Sequence, residues 1–143
     1  MSLIVDASVA LKWYLAEEPD AAAAQAILQM SEPLTAPDIV VAETCNAAWR
    51  GVQVGRMQPR QALDIARSLP ALFDILASSA ALAERAVSIA VTLDHPVYDC
   101  LYLALAETTQ TCLVTADGRL LTRVNGTPWQ ILTQPLTAYA RSS

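Results

Sequence analysis

Short apolar and β-branched runs alternate with longer stretches of helical periodicity along almost the whole chain, and this alternation limits the fold more than any other feature. Leu3-Ile4-Val5, Leu34-Thr35-Ala36, Leu72-Phe73-Asp74-Ile75-Leu76, Cys112-Leu113-Val114-Thr115 and Trp129-Gln130-Ile131-Leu132 are the strand candidates. Runs this short and this apolar predict a parallel sheet buried on both faces by helices. Helices are predicted over residues 7–15, 20–30, 39–54, 59–69, 80–93, 97–107 and 117–122. Pro37 favours the start of the third, Ser79 caps the fifth, and His95-Pro96 separates the fifth from the sixth. With 143 residues and no repeat or linker, the chain reads as a single α/β domain over residues 1–143.

The hydrophobic fraction of 54% and the charged fraction of 16% exclude a disordered chain and predict a filled core, with apolar surface left for a partner. Asp6, Lys12, Glu43, Asp94 and Asp99 interrupt every apolar run before it reaches bilayer-spanning length. The first six residues lack a basic leader, so the expected location is cytoplasmic, with no membrane partner. Cys45, Cys100 and Cys112 are widely spaced in apolar contexts and read as free thiols of a reducing compartment. A net charge of −5 fits a nucleic-acid binder poorly, but Arg50, Arg56, Arg60 and Arg67 face only Asp64 in their segment. That stretch is either a solvated helical hairpin or a rim that attracts phosphates or an acidic partner.

Four carboxylates stand out. Asp6 follows the first strand and Asp117 the fourth, and each is either a helix N-cap or a functional acid. Glu43 shares its helical stripe with Ile39 and Val40, and Asp99 lies in Val97-Tyr98-Asp99-Cys100-Leu101-Tyr102-Leu103-Ala104-Leu105-Ala106, apolar on nearly every side. An ionised group there costs several kcal/mol unless a cation compensates it. No arginine lies within four residues of Asp6, Glu43 or Asp99. Compensation must therefore come from a distant arginine or from a divalent ion shared among the acids. In a doubly wound sheet, groups at the carboxyl ends of adjacent strands converge on one crevice, and Asp6 and Asp117 both occupy such ends. An all-carboxylate set favours Mg²⁺ or Mn²⁺; zinc would want histidine or cysteine at ligand spacing, and His95 is the sole histidine.

Val5-Asp6-Ala7-Ser8, Val41-Ala42-Glu43-Thr44-Cys45-Asn46-Ala47, Val97-Tyr98-Asp99-Cys100-Leu101-Tyr102-Leu103-Ala104 and Leu113-Val114-Thr115-Ala116-Asp117 resemble, in order, the four acidic motifs of the PIN domain. The chain length resembles that of VapC toxins of toxin–antitoxin pairs, and the likeness spans residues 4–132. The resemblance implies an α/β/α sandwich with a parallel sheet of about five strands. It implies an acidic catalytic site of Asp6, Glu43, Asp99 and Asp117, with metal held by Asp6, Asp99 and Asp117 and supporting polar groups at Ser8, Asn46 and Thr115. The implied activity is Mg²⁺-dependent endonucleolytic cleavage of RNA, with Mn²⁺ as the alternative ion and a 5′-phosphate product. The implied partners are a small cognate antitoxin and a second copy of the chain, and Trp13, Tyr14 and Trp49 are candidates to line the antitoxin groove. The alternative is a non-catalytic PIN-like protein-binding module, against which the intact set of four acids argues. A receiver domain lacks its lysine here, and a haloacid-dehalogenase-type phosphatase would need a second aspartate where Ser8 stands.

Overall fold

The computed structural model describes residues 2–140. Its strands are β1 (Leu3–Val5), β2 (Leu34–Pro37), β3 (Ile75–Ala77), β4 (Cys112–Thr115) and β5 (Thr133–Pro135). Its α-helices are α1 (Ala7–Ala10), α2 (Ala21–Leu28), α3 (Ile39–Gln53), α4 (Pro59–Ser68), α5 (Ser79–Leu93), α6 (Val97–Thr109) and α7 (Gly118–Val124). The strands form one sheet in the order β3-β2-β1-β4-β5, and every neighbouring pair is parallel. The expected α/β architecture is thus observed. The winding reverses at β1, which pairs with β2 on one side and β4 on the other; the carboxyl ends of β1 and β4 are thus the switch point at which doubly wound sheets bind their ligands.

The central strands are short because their whole length is core. Ile4, Val5, Leu113 and Val114 are fully buried, and α6 buries every residue from Cys100 through Ala106 as it packs on α5, β2 and β4. Helix α3 buries Val40, Thr44 and Ala48, spaced by one helical turn, with Ile39, Val41 and Val52 half-buried against the core. Ile4→Ala, which opens a cavity in the middle strand, is expected to cost about 2–5 kcal/mol, measurable from the urea midpoint.

Several boundaries differ from expectation, each for a local reason. The predicted first helix stops after Ala10, and the chain tightens into a 3₁₀ turn at Leu11–Trp13. Two predicted strands lie further along the chain. Pro70 starts a 3₁₀ turn at Leu69–Leu72 and β3 follows at Ile75; Pro128 starts another at Pro128–Leu132 and β5 follows at Thr133. Proline presets the φ of a turn, and short apolar runs do not distinguish strand from turn by themselves. Pro37 ends β2 rather than opening α3, and Ser78, not Ser79, caps α5 by accepting from the Ala81 N–H at 3.2 Å.

Candidate active site

Asp6 is the first residue past β1, and the register that pairs Val5 with Val114 sets it beside Thr115 at the end of β4. It is 4% exposed. Ser8 Oγ donates to Asp6 Oδ1 at 2.5 Å, Thr115 Oγ1 donates to Oδ2, and the Val9 N–H reaches Oδ1 at 3.3 Å. Each hydroxyl in turn accepts from a backbone N–H, Ser8 from Ala116 at 2.9 Å and Thr115 from Asp117 at 3.0 Å. With those lone pairs taken, the hydroxyl protons point at the carboxylate. Asp6 therefore caps α1, and the same carboxylate is bound by Thr115 at the carboxyl end of β4, so capping leaves it at the carboxyl ends of both central strands. Burial pushes its pKa up to about 6 against the lowering pull of both hydroxyls, and the negative charge of Asp99 adds to the rise.

Asp99 sits in the first turn of α6 and is half-buried. Its Oδ2 lies 2.6 Å from His95 Nε2. The chain reaches that geometry because Asp94 ends α5 in the left-handed conformation, with φ of 53°, and swings His95 back toward the start of α6. Burial raises the proton affinity of Asp99 most; His95 opposes this, the Asp117 charge reinforces it, and Arg119 weakly counters it. One turn further along α6, Tyr102 is 1% exposed and donates its hydroxyl to Glu43 Oε1 at 2.6 Å. The phenol is held neutral by burial and by the facing Glu43 charge, so it remains a donor at every working pH. Burial raises the pKa of Glu43, the Tyr102 bond lowers it, and Asp99 raises it again. One helix thus carries one acid and orients a second.

Asp117 caps α7, accepting from the Arg119 and Leu120 N–H groups at 2.9 and 3.5 Å. Charge coupling links Asp6 to Asp99, Glu43 to Asp99 and Asp99 to Asp117, so the fold brings the other three acids within electrostatic reach of Asp99. Ser8 and Thr115 bond directly to Asp6, whereas Asn46 is exposed one turn beyond Glu43 on α3. Among the described residues, no three His, Cys, Asp or Glu side chains stand close enough to enclose an ion as they are placed, since each acid is turned to its own hydrogen-bond partner. The donor chemistry fits a hard divalent cation: carboxylate oxygens, buried or half-buried, with like charges that raise one another's proton affinity.

Two contributors escaped the sequence reading. His95 stands four residues before Asp99 and Tyr102 three after, and that helical spacing was the available signal. The aromatic residues divide differently from expectation. Trp13 belongs to the core, with its indole N–H on the Ala24 carbonyl at 3.0 Å and its ring against Phe73, so it does not line an open groove. Tyr14 is half-buried with its hydroxyl 2.7 Å from Ser68 Oγ, and Trp49 is 53% exposed. The basic segment is partly spent on ion pairs, Arg56 with Glu18 and Arg67 with Asp64.

Comparison with known proteins agrees with this architecture. The PIN domain family profile matches residues 3–126. Ribonuclease VapC3 of Pyrobaculum aerophilum is 32% identical over 122 residues, which cover 84% of this chain and 92% of that protein. The crystal structure of a second Pyrobaculum aerophilum protein superposes with a TM-score of 0.72 at 21% identity, covering 96% of this chain and 85% of the other. A chain of a toxin–antitoxin complex from Klebsiella pneumoniae superposes with a TM-score of 0.64 at 19% identity, covering 94% of this chain and 98% of the other. By the extent of the profile match and the identity to a VapC ribonuclease, this chain belongs to the PIN domain family and groups within it with the VapC proteins.

Proposed function

We propose that this chain is a divalent-metal-dependent endoribonuclease of the VapC type, acting as the toxin of a toxin–antitoxin pair. What supports this reading is that Asp6, Glu43 and Asp117, from separate elements, each lie within charge-coupling distance of Asp99, and that burial with like charge nearby raises the pKa of Asp6, Glu43 and Asp99. The 32% identity to a protein named a ribonuclease supports it.

In this reading Asp6, Asp99 and Asp117 hold Mg²⁺ or Mn²⁺. Such an ion, when bound, offsets the acids' charge, polarises a phosphodiester and lowers the pKa of water. The chain's own groups do the positioning. Ser8 and Thr115 fix both oxygens of Asp6, His95 fixes one oxygen of Asp99, and Tyr102 occupies Glu43 Oε1, leaving Oε2 to orient or accept a proton from the attacking water. Attack in line on the scissile phosphorus then leaves a 5′-phosphate.

The expected partner is a small antitoxin, and the groove between α3 and α4, lined by Cys45, Trp49, Val52, Pro59, Ala62, Leu63 and Ala66, is apolar enough to take an amphipathic segment. A homodimer, a cytoplasmic location and one domain over the full length complete the reading. Among the described residues no helix is long and apolar enough to cross a membrane.

The test is cleavage of a panel of structured RNAs in Mg²⁺ by wild type and by Asp99→Asn. Cleavage by the wild type and none by the variant is expected; equal cleavage by both would remove Asp99 from the site. Tyr102→Phe keeps the buried ring and loses only the hydroxyl bond to Glu43. It is expected to lower kcat about 10–100-fold with KM and Tm nearly unchanged, and to add no further loss in a Glu43→Gln background.

A further inference from the structure

Beside the acids lies a feature they do not explain. An open cleft of about 710 Å³ begins at Asp117 and runs along α7, lined by Asp117, Gly118, Arg119, Thr122 and Arg123. Arg119 and Arg123 are four residues apart on one helix, so both project from the same face. Both are exposed, and among the described residues neither has an ion-pair partner, while Arg56, Arg67 and Arg85 pair with Glu18, Asp64 and Glu107. Gly118 faces open space at the mouth of the cleft, so no side chain stands between Asp117 and the arginines. In a chain of net charge −5, two guanidinium groups beside Asp117, Arg119 only weakly coupled to Asp99 and neither ion-paired among the described residues, call for an anionic ligand from outside.

We infer that Arg119 and Arg123 form a phosphate-binding subsite that holds the RNA backbone next to the cleaved bond. The inference rests on the ribonuclease reading for the identity of its ligand. Guanidinium matches phosphate oxygens with paired N–H donors, and Thr122 adds a hydroxyl in the same cleft. The subsite answers the charge problem of this protein: four acids repel a polyanion, and a cationic edge running from Asp117 draws the strand in and sets its register. RNA fits better than a protein segment because the cleft wall has no large apolar side chain to anchor one, in contrast to the α3–α4 groove.

The test measures binding of a fluorescein-labelled single-stranded RNA by anisotropy, at several salt concentrations in Mg²⁺. The protein is Asp6→Asn, so that the probe survives, with and without Arg119→Ala and Arg123→Ala. Each arginine change is expected to weaken binding about tenfold. The slope of log affinity against log salt should become shallower by about 0.7 for each phosphate that is no longer neutralised. Circular dichroism should be unchanged, since both side chains are exposed. Arg119→Lys, which keeps the charge but not the fork, should keep the salt slope and bind more weakly than the parent.

Unchanged affinity and slope in the double alanine variant would overturn the subsite and leave the nuclease reading intact. Loss of binding in that variant, with no cleavage by wild type in parallel, would uphold the subsite and sink the nuclease reading instead. A polyglutamate peptide that binds as tightly as the RNA, and loses its affinity in the same variant, would overturn RNA as the ligand in favour of an acidic protein segment.

Discussion

Asp6→Asn is expected to lower RNA cleavage about a thousandfold or more while leaving the protein as stable as the wild type at neutral pH, or slightly more stable. The loss of activity follows from position: Asp6 is the most buried of the four acids, at the switch point of the sheet, and groups that act as a unit fail together when one is removed. The stability follows from linkage. The folded-state pKa of Asp6 lies near 6, above its ordinary value of 3.8. Between those values the folded state binds more protons than the unfolded, so the stability it confers is full below the unfolded pKa and is lost as pH rises through about 6. At pH 7.5 the ionised acid costs the fold up to about 3 kcal/mol.

Asparagine removes that cost, but its amide NH₂ must face a hydroxyl already committed to donating, Ser8 or Thr115, for a penalty of about 1–2 kcal/mol. The net gain is about 1 kcal/mol, visible as a small rise in Tm at pH 7.5 that shrinks toward pH 5. A variant that unfolds at neutral pH would show that the carboxylate is needed for the fold. A folded variant that cleaves normally would show that it is not needed for chemistry.

Removal of divalent ions carries the second large effect. EDTA is expected to abolish cleavage, and Mg²⁺ or Mn²⁺ at a hundred times its dissociation constant to raise the unfolding free energy by about 2.7 kcal/mol, the rise that follows when the ion binds the folded chain, as proposed, and not the unfolded one. Burial and mutual repulsion raise the pKa of Asp6, Glu43 and Asp99 alike, so protons compete with the cation. The metal-induced rise in Tm should therefore be full at pH 7.5 and fade below about pH 6, and Asp6→Asn should remove most of it. Scanning fluorimetry over a grid of pH and Mn²⁺ reads this without any RNA. A metal-induced shift of the same size at pH 5 and pH 7.5 would contradict the electrostatic account of the crevice.

The alternation of strand and helix and the doubly wound class could be read along the chain, and so could the four carboxylates as candidates. Strand and helix declare themselves in side-chain periodicity, and an aspartate in the apolar 97–106 stretch is conspicuous wherever it folds. The choice between cap and functional acid at Asp6 has no answer in the chain; the fold shows the cap, with one carboxylate accepting from the helix N–H and from two hydroxyls at once.

Tertiary structure alone decided the rest. The parallel register of β1 and β4 sets Thr115, 109 residues away, on Asp6. The left-handed turn at Asp94 aims His95 at Asp99, and the buried hydroxyl of Tyr102 on α6 reaches Glu43 on α3, 59 residues away in the chain. Trp13, a candidate for the antitoxin groove, is a core residue because helix α2 offers its indole a carbonyl, which no local pattern could announce. Residue type and spacing determine which groups a chain can bring to a site; which hydrogen-bond partner each of them finds depends on strand order and helix packing, because those bonds join residues that the sequence holds far apart.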